Sequence, residues 1–133
     1  MRIPAGAPAV HGDVNCPVSK TIHPFAFRTH AHEWGTVIKG YKYSKETNKI
    51  EEIAAGNPHW PQQFYPIKKD VTVNKGEYLL ARCTYNNTER NRDIHIGKLD
   101  TPLKESVDLI FELQYVVLIV LFVGVSCRFH TRG

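Results

Sequence analysis

Between residues 23 and 85 the apolar positions fall into five short runs, 23–32, 36–43, 49–54, 71–74 and 78–85, each rich in β-branched and aromatic side chains. They are separated by Gly35, residues 44–48, Gly56-Asn57-Pro58, Pro61, Pro66 and Asn74-Lys75-Gly76, residue types that interrupt strands and build turns. Within the runs, Tyr41-Lys42-Tyr43 and Val71-Thr72-Val73 alternate with period two, which sends successive side chains to opposite faces. Strands with one buried and one wet face predict an all-β fold, an antiparallel β-sandwich of jelly-roll-like type. No internal repeat or low-complexity segment is present.

The C-terminal part reads differently. Residues 113–127 carry no charge, are dense in Val, Ile and Leu, and lie between Glu112 and Arg128 without the alternation of a half-exposed strand. As a helix this run would reach about 22 Å, short of the roughly 30 Å hydrocarbon layer of a membrane. Starting at Leu109 lengthens it, so 109–127 is a candidate membrane segment. A buried strand, or sequence from outside the domain such as an alternative exon or a retained intron, fits the same composition. Lys98 and Lys104 precede it and Arg128 and Arg132 follow, so charge bias sets no orientation.

With 133 residues, 42% of them hydrophobic, the chain suffices for a single core. The organisation expected is one domain over residues 1–97 and a divergent tail over 98–133. The net charge of +4 comes from the first part, because the tail balances its charges. Its Lys and Arg residues are scattered rather than striped, which indicates solvated surface and no nucleic-acid partner. The opening MRIPAGAPAVHGD lacks the apolar core of a signal peptide, so the start is expected to be internal to a longer product.

Candidate chemistry concentrates in one run, His23-Pro24-Phe25-Ala26-Phe27-Arg28-Thr29-His30-Ala31-His32. If it is extended, Arg28, His30 and His32 share one face. Two neighbouring imidazoles form a half-site for zinc or copper, and Arg28 beside them can take a carboxylate in a two-pronged hydrogen bond.

The stretch HPFAFRTHAHEWGTVIKGYKY, then NPHWPQQFYPIKKDVTVNKGEYLLARCTYNN, then IHIG, resembles the second catalytic domain of the copper type II, ascorbate-dependent monooxygenases. The NP-x-x-PQ-x-FYP segment at 57–66 and Arg28 ahead of the H-x-H favour the peptidylglycine α-hydroxylating branch over the dopamine and tyramine hydroxylases. The resemblance implies a β-sandwich that holds one copper, with His30 and His32 as metal ligands and Arg28 binding the carboxylate of a glycine-extended peptide. His23 matches a family histidine near the site and is not expected to be a ligand. It further implies ascorbate as the electron donor, hydroxylation at the glycine α-carbon, the secretory pathway as the location, and a first copper domain as the missing partner in a longer product.

The sequence also departs from that family. Its Asp-Glu-Met-Cys segment is replaced after Gly97, and the one methionine here is Met1. The isolated chain is therefore expected to lack turnover. The alternatives are a non-catalytic copper-binding or membrane-tethered module, or a truncated splice or gene-model product. By the same resemblance Cys16 and Cys83 match disulfide positions whose partners lay in the replaced segment, and Cys127 is the remaining thiol. Three cysteines cannot all pair within one chain, and spacing does not choose the pair. Asn86-Asn87-Thr88 is a glycosylation sequon, with Asn86 the candidate acceptor, usable only in the secretory pathway.

Overall fold

In the computed structural model the described residues are 1–31 and 33–96, together with the strand at 128–131, of which only the backbone is described. His32, Gly97, Cys127 and the candidate membrane segment 109–127 lie outside them. Among the described residues nine strands occur, in the order β1 (Arg2–Ile3), β2 (Val10–Pro17), β3 (Ala26–Phe27), β4 (Gly35–Ser44), β5 (Lys49–Gly56), β6 (Tyr65–Pro66), β7 (Tyr78–Tyr85), β8 (Ile94–His95) and β9 (Arg128–Thr131). The described residues contain no helix, and so none long and apolar enough to cross a membrane. The all-β expectation holds. A five-stranded antiparallel sheet runs β5-β4-β7-β2-β9, and two-stranded pairs β1-β8 and β3-β6 accompany it.

β7 shows why the sheet forms. Leu79, Ala81, Cys83 and Tyr85 are buried, while Arg82 between them is exposed, the period-two pattern of a strand with one face in the core. The antiparallel register with β2 sets Cys16, Val14, Gly12 and Val10 opposite those four residues, so the buried rows of neighbouring strands coincide. Ile38 from β4 and Ile53 from β5 join them, and Ile3, Ile22, Phe27, Val71, Val73, Ile94 and Ile96 close the core from the loops and short strands. The β4–β5 connection, residues 45–48, turns through Asn48 at φ 50°, a left-handed conformation that Asn tolerates better than most residues. Gly76 at φ 89° performs the same service in the turn before β7.

Several expectations are corrected. Among the described residues of the run 23–32 only Ala26–Phe27 is strand, because β6 offers two residues to pair with and the backbone then leaves the ladder. The run 71–74 contributes a single bridge, Val73 to Ile22, although Val71 and Val73 are buried and Thr72 exposed as the alternation requires. Tyr41, Lys42 and Tyr43 are all half-buried rather than alternating, and the Lys42 ammonium reaches Glu77 and donates to the Thr72 carbonyl. β2 had no strand signal in its VHGDVNCP sequence, and exists because β7 pairs with every one of its residues. At the far edge, residues 128–131 pair with β2, from Asn15↔Arg128 to Gly12↔Thr131, so part of the segment beyond 97 completes the sheet.

Candidate copper and peptide site

The candidate site is a corner where the segment after β3 lies against the loop between β5 and β6. β5 ends at Gly56, which is buried, and the approach there is close. A Cβ on Gly56 would meet Thr29 Cγ2 at 3.0 Å, a Phe27 ring atom at 3.1 Å and a Trp60 ring atom at 3.3 Å. Glycine is required here for space rather than for its dihedral freedom. The aromatic side chains form the floor: Phe27 and Tyr65 have ring centroids 5.9 Å apart, and Trp60 and Tyr65 5.4 Å, both tilted.

Hydrogen bonds fix the two segments to each other. Thr29, 2% exposed, donates its hydroxyl to the Asn57 carbonyl at 3.1 Å. Gln62 Nε2 donates to the Thr29 carbonyl at 3.1 Å, and its Oε1 accepts from Arg28 Nε at 3.2 Å. Asn57 orders its own loop, its Oδ1 accepting from the His59 amide at 2.8 Å and its carbonyl from the Trp60 amide at 3.1 Å. Tyr65 donates its phenol to the Pro61 carbonyl at 2.9 Å.

With Thr29 turned inward, its neighbours turn out. Arg28 is half-buried and His30 exposed. Gln62 occupies only the Nε of Arg28, leaving the two terminal nitrogens, the fork that recognises a carboxylate, without a partner among the described residues. The His30 ring likewise makes no hydrogen bond among the described residues, so either nitrogen is open to donate its lone pair to a metal that favours imidazole, as copper does. That exposed nitrogen donor fits a copper ligand. Among the described residues no group of three His, Cys, Asp or Glu side chains converges on a common point, and His32, the other half of the pair, is outside them.

A model of the C-terminal domain of the copper type II ascorbate-dependent monooxygenases matches residues 1–101. The chain belongs to this family. It is 35% identical over 96 residues to peptidyl-glycine alpha-amidating monooxygenase A of Xenopus laevis and 36% identical over 96 residues to peptidylglycine alpha-amidating monooxygenase of Rattus norvegicus. Each alignment covers 71% of this chain and 10% of the relative, so the chain spans about a tenth of the length of the curated relatives it matches. Dopamine beta-hydroxylase of Bos taurus is 34% identical over 73 residues, 52% of this chain and 12% of that protein.

The remaining residues singled out in this copper monooxygenase domain are dispersed. His23 Nδ1 lies 3.1 Å from the Thr72 hydroxyl, on the Ile22–Val73 bridge. Met1 packs against β2 and β7: a Cβ on Gly12 would sit 3.4 Å from its sulfur and 3.5 Å from Tyr85. Cys83 is a free thiol with no exposed surface, which corrects its place among the disulfide candidates: the centre of β7 faces Gly12 and Ile38 rather than another cysteine. Burial pushes its thiol up to about 11. Cys16 is buried in β2. Sequence reasoning did not single out Gln62, Thr29, Asn57 or Gly56. Their signal was available in part, since Asn57 and Gln62 stand in the NP-x-x-PQ segment, but only the fold brings that segment to Arg28.

Proposed function

We propose that this chain supplies the oxygen-copper and peptide-binding part of a peptidylglycine α-hydroxylating monooxygenase. The observation that carries the reading is the corner itself: Thr29 is locked inward by Asn57 and Gln62, so that Arg28 and His30 stand outward on either side of it. His30 and His32 hold the copper through imidazole nitrogen. Arg28, oriented by Gln62 at its Nε, binds the carboxylate of a C-terminally glycine-extended peptide through its two terminal nitrogens, which sets the glycine close to the metal side of the corner. Trp60, Phe64 and Phe25, all substantially exposed, offer apolar surface beside it for the residues that precede the glycine. When bound, copper supplies the one-electron oxygen chemistry, with ascorbate as reductant, for hydroxylation at the glycine α-carbon. Turnover requires the first copper domain, supplied in a longer product.

The absence of a second methionine favours one further reading, a module that binds copper weakly and does not catalyse. A thioether is the soft ligand that suits Cu(I). Secretory-pathway residence belongs to the main reading. With Cys83 free, the disulfide that the resemblance implies falls to Cys16 with Cys127. Peptide mapping without reductant tests it. In this reading residues 1–97 form the copper domain and 98–133 a tail whose removal would cost β9.

Copper titration of the full chain, followed by electron paramagnetic resonance, separates the readings. One equivalent should bind through nitrogen, and His30→Ala and His32→Ala should each abolish most of it; unchanged stoichiometric binding in the double variant would sink the site. Glycine-extended peptide should bind the copper-loaded chain and be lost on Arg28→Ala, whereas peptide binding indifferent to Arg28 leaves only the weak copper module. Hydroxylation by the chain alone, above the copper–ascorbate background, would overturn the requirement for the first domain.

A further inference from the structure

The turn that follows β7 is built around Asn86, which begins the one Asn-x-Ser/Thr triplet in the sequence. Its neighbours Tyr85 and Asn87 are 1% and 2% exposed, whereas Asn86 and Thr88 are exposed. Asn87 holds the turn in place: its amide donates to the Ala7 carbonyl at 2.8 Å, and its side-chain nitrogen to the carbonyls of Pro4 at 2.9 Å and Arg92 at 3.0 Å. The Asn86 amide donates to the Trp34 carbonyl at 3.0 Å, which anchors the same turn to the start of β4. With both backbones pinned, residue 86 faces outward and residue 87 inward.

The Asn86 carboxamide is itself oriented. The Thr88 backbone N–H lies 2.8 Å from Oδ1 and the Thr88 hydroxyl 2.7 Å from it. A backbone N–H can only donate, so the atom facing it must be the carbonyl oxygen, and the side-chain orientation is not ambiguous. In a planar carboxamide the nitrogen lies on the side away from the oxygen. Nδ2 of Asn86 is therefore turned from the loop towards solvent, with no protein acceptor among the described residues. Beside it opens a cleft of about 290 Å³ whose lining includes Trp34, Thr36, His59 and Arg90. The Arg90 guanidinium lies over the Trp34 ring at 4.3 Å and closes one side of that cleft.

We propose that Asn86 is an N-glycosylation site, the glycan extending into solvent from the turn after β7. Transfer from a polyprenyl-diphosphate oligosaccharide joins the anomeric carbon to Asn86 Nδ2 and breaks that carbon's bond to the diphosphate oxygen. The amide loses one proton, the diphosphate lipid is the leaving group, and no oxidant or reductant is involved. The modification adds bulk and solubility at the surface without touching the core, because the buried partner in the turn is Asn87. This inference rests on the luminal residence in the reading above but not on the copper chemistry, and the experiment supplies luminal entry independently.

The full chain, fused behind a cleavable signal sequence, is translated with microsomes, and the luminal product is selected by protease protection. The protected wild-type chain should show a mobility shift of a single glycan, removed by peptide N-glycosidase. Asn86→Gln and Thr88→Ala should abolish the shift, and Thr88→Ser should retain it; none of these outcomes depends on the variants folding. A protected wild-type chain without a shift, or a shift that survives Asn86→Gln, overturns the proposal.

Discussion

β7 is paired along all eight of its residues on both sides, with β2 and with β4, whereas β3 meets β6 at only two positions, Ala26↔Pro66 and Phe27↔Tyr65. In the sheet, register is over-determined: a slip of one residue would send Leu79, Ala81, Cys83 and Tyr85 to the solvent face. In the corner, position depends on a few directed contacts, the Thr29 and Gln62 hydrogen bonds and the close approach at Gly56. Of the residues proposed to act, His30 makes none of these contacts, and Arg28 enters only through its Nε bond to Gln62. Stability and site geometry are thus carried by different side chains, and substitutions can separate them.

The largest effect is expected in the sheet. Ile38→Ala, at a position 1% exposed in the centre of β4, should cost about 2–5 kcal/mol, read as a fall in the urea midpoint with unchanged slope. Loss of the corner's copper binding should follow global unfolding and not precede it.

Cys83 tests the same dry interior by pH. Its thiol is raised by burial from 9.0 to about 11, so the unfolded chain gives up this proton first as pH rises. The stabilisation is whole below pH 9.0 and is lost as pH climbs through about 11, by up to about 3 kcal/mol. Cys83→Ala should flatten that part of the stability profile, and in the native wild type a maleimide should label Cys83 only at the rate of opening.

Gly56→Ala joins the two regions. The added methyl forces Thr29 or Phe27 to give way, at about 1–3 kcal/mol, and copper affinity should fall at temperatures where the sheet remains folded. If copper affinity is unchanged, the corner is held independently of β5. A smaller effect is expected of Gln62→Ala. It removes the bonds to the Thr29 carbonyl and Arg28 Nε and should cost about 1 kcal/mol, with a larger proportional loss in peptide binding than in stability. The smallest effect on stability belongs to Arg28→Ala and His30→Ala, each within about 0.5 kcal/mol of wild type by urea unfolding. A marked destabilisation by either would show that the corner depends on them for packing.

Much of the fold was legible where a strand's own side chains specify it. The 78–85 run is β7 residue for residue, and 36–43 and 49–54 lie within β4 and β5, because in each the β-forming residues are local and the turns are marked by Gly and Asn. The 23–32 run was overread, since a good strand composition extends only as far as a partner is available. β2 was missed for the converse reason: Gly12, Asp13, Asn15 and Pro17 have little strand preference, and the pairing energy comes from β7 and β9, distant in sequence. In the candidate site, Arg28 and His30 stood out by their chemistry. Gln62 and Gly56 did not, since an amide and a glycine acquire meaning only from what faces them.

What the sequence alone determined was the all-β class and the family, and it pointed to the side chains proposed to bind copper and a carboxylate, because residue type and short-range order decide those. Only the tertiary structure decided that Thr29 turns inward between Arg28 and His30, that Gln62 orients the guanidinium, that Cys83 is sealed in the core, and that Asn86 rather than Asn87 faces solvent. Each of these depends on a contact between segments far apart in the chain, and burial is a property of the packed whole that no single stretch of sequence contains.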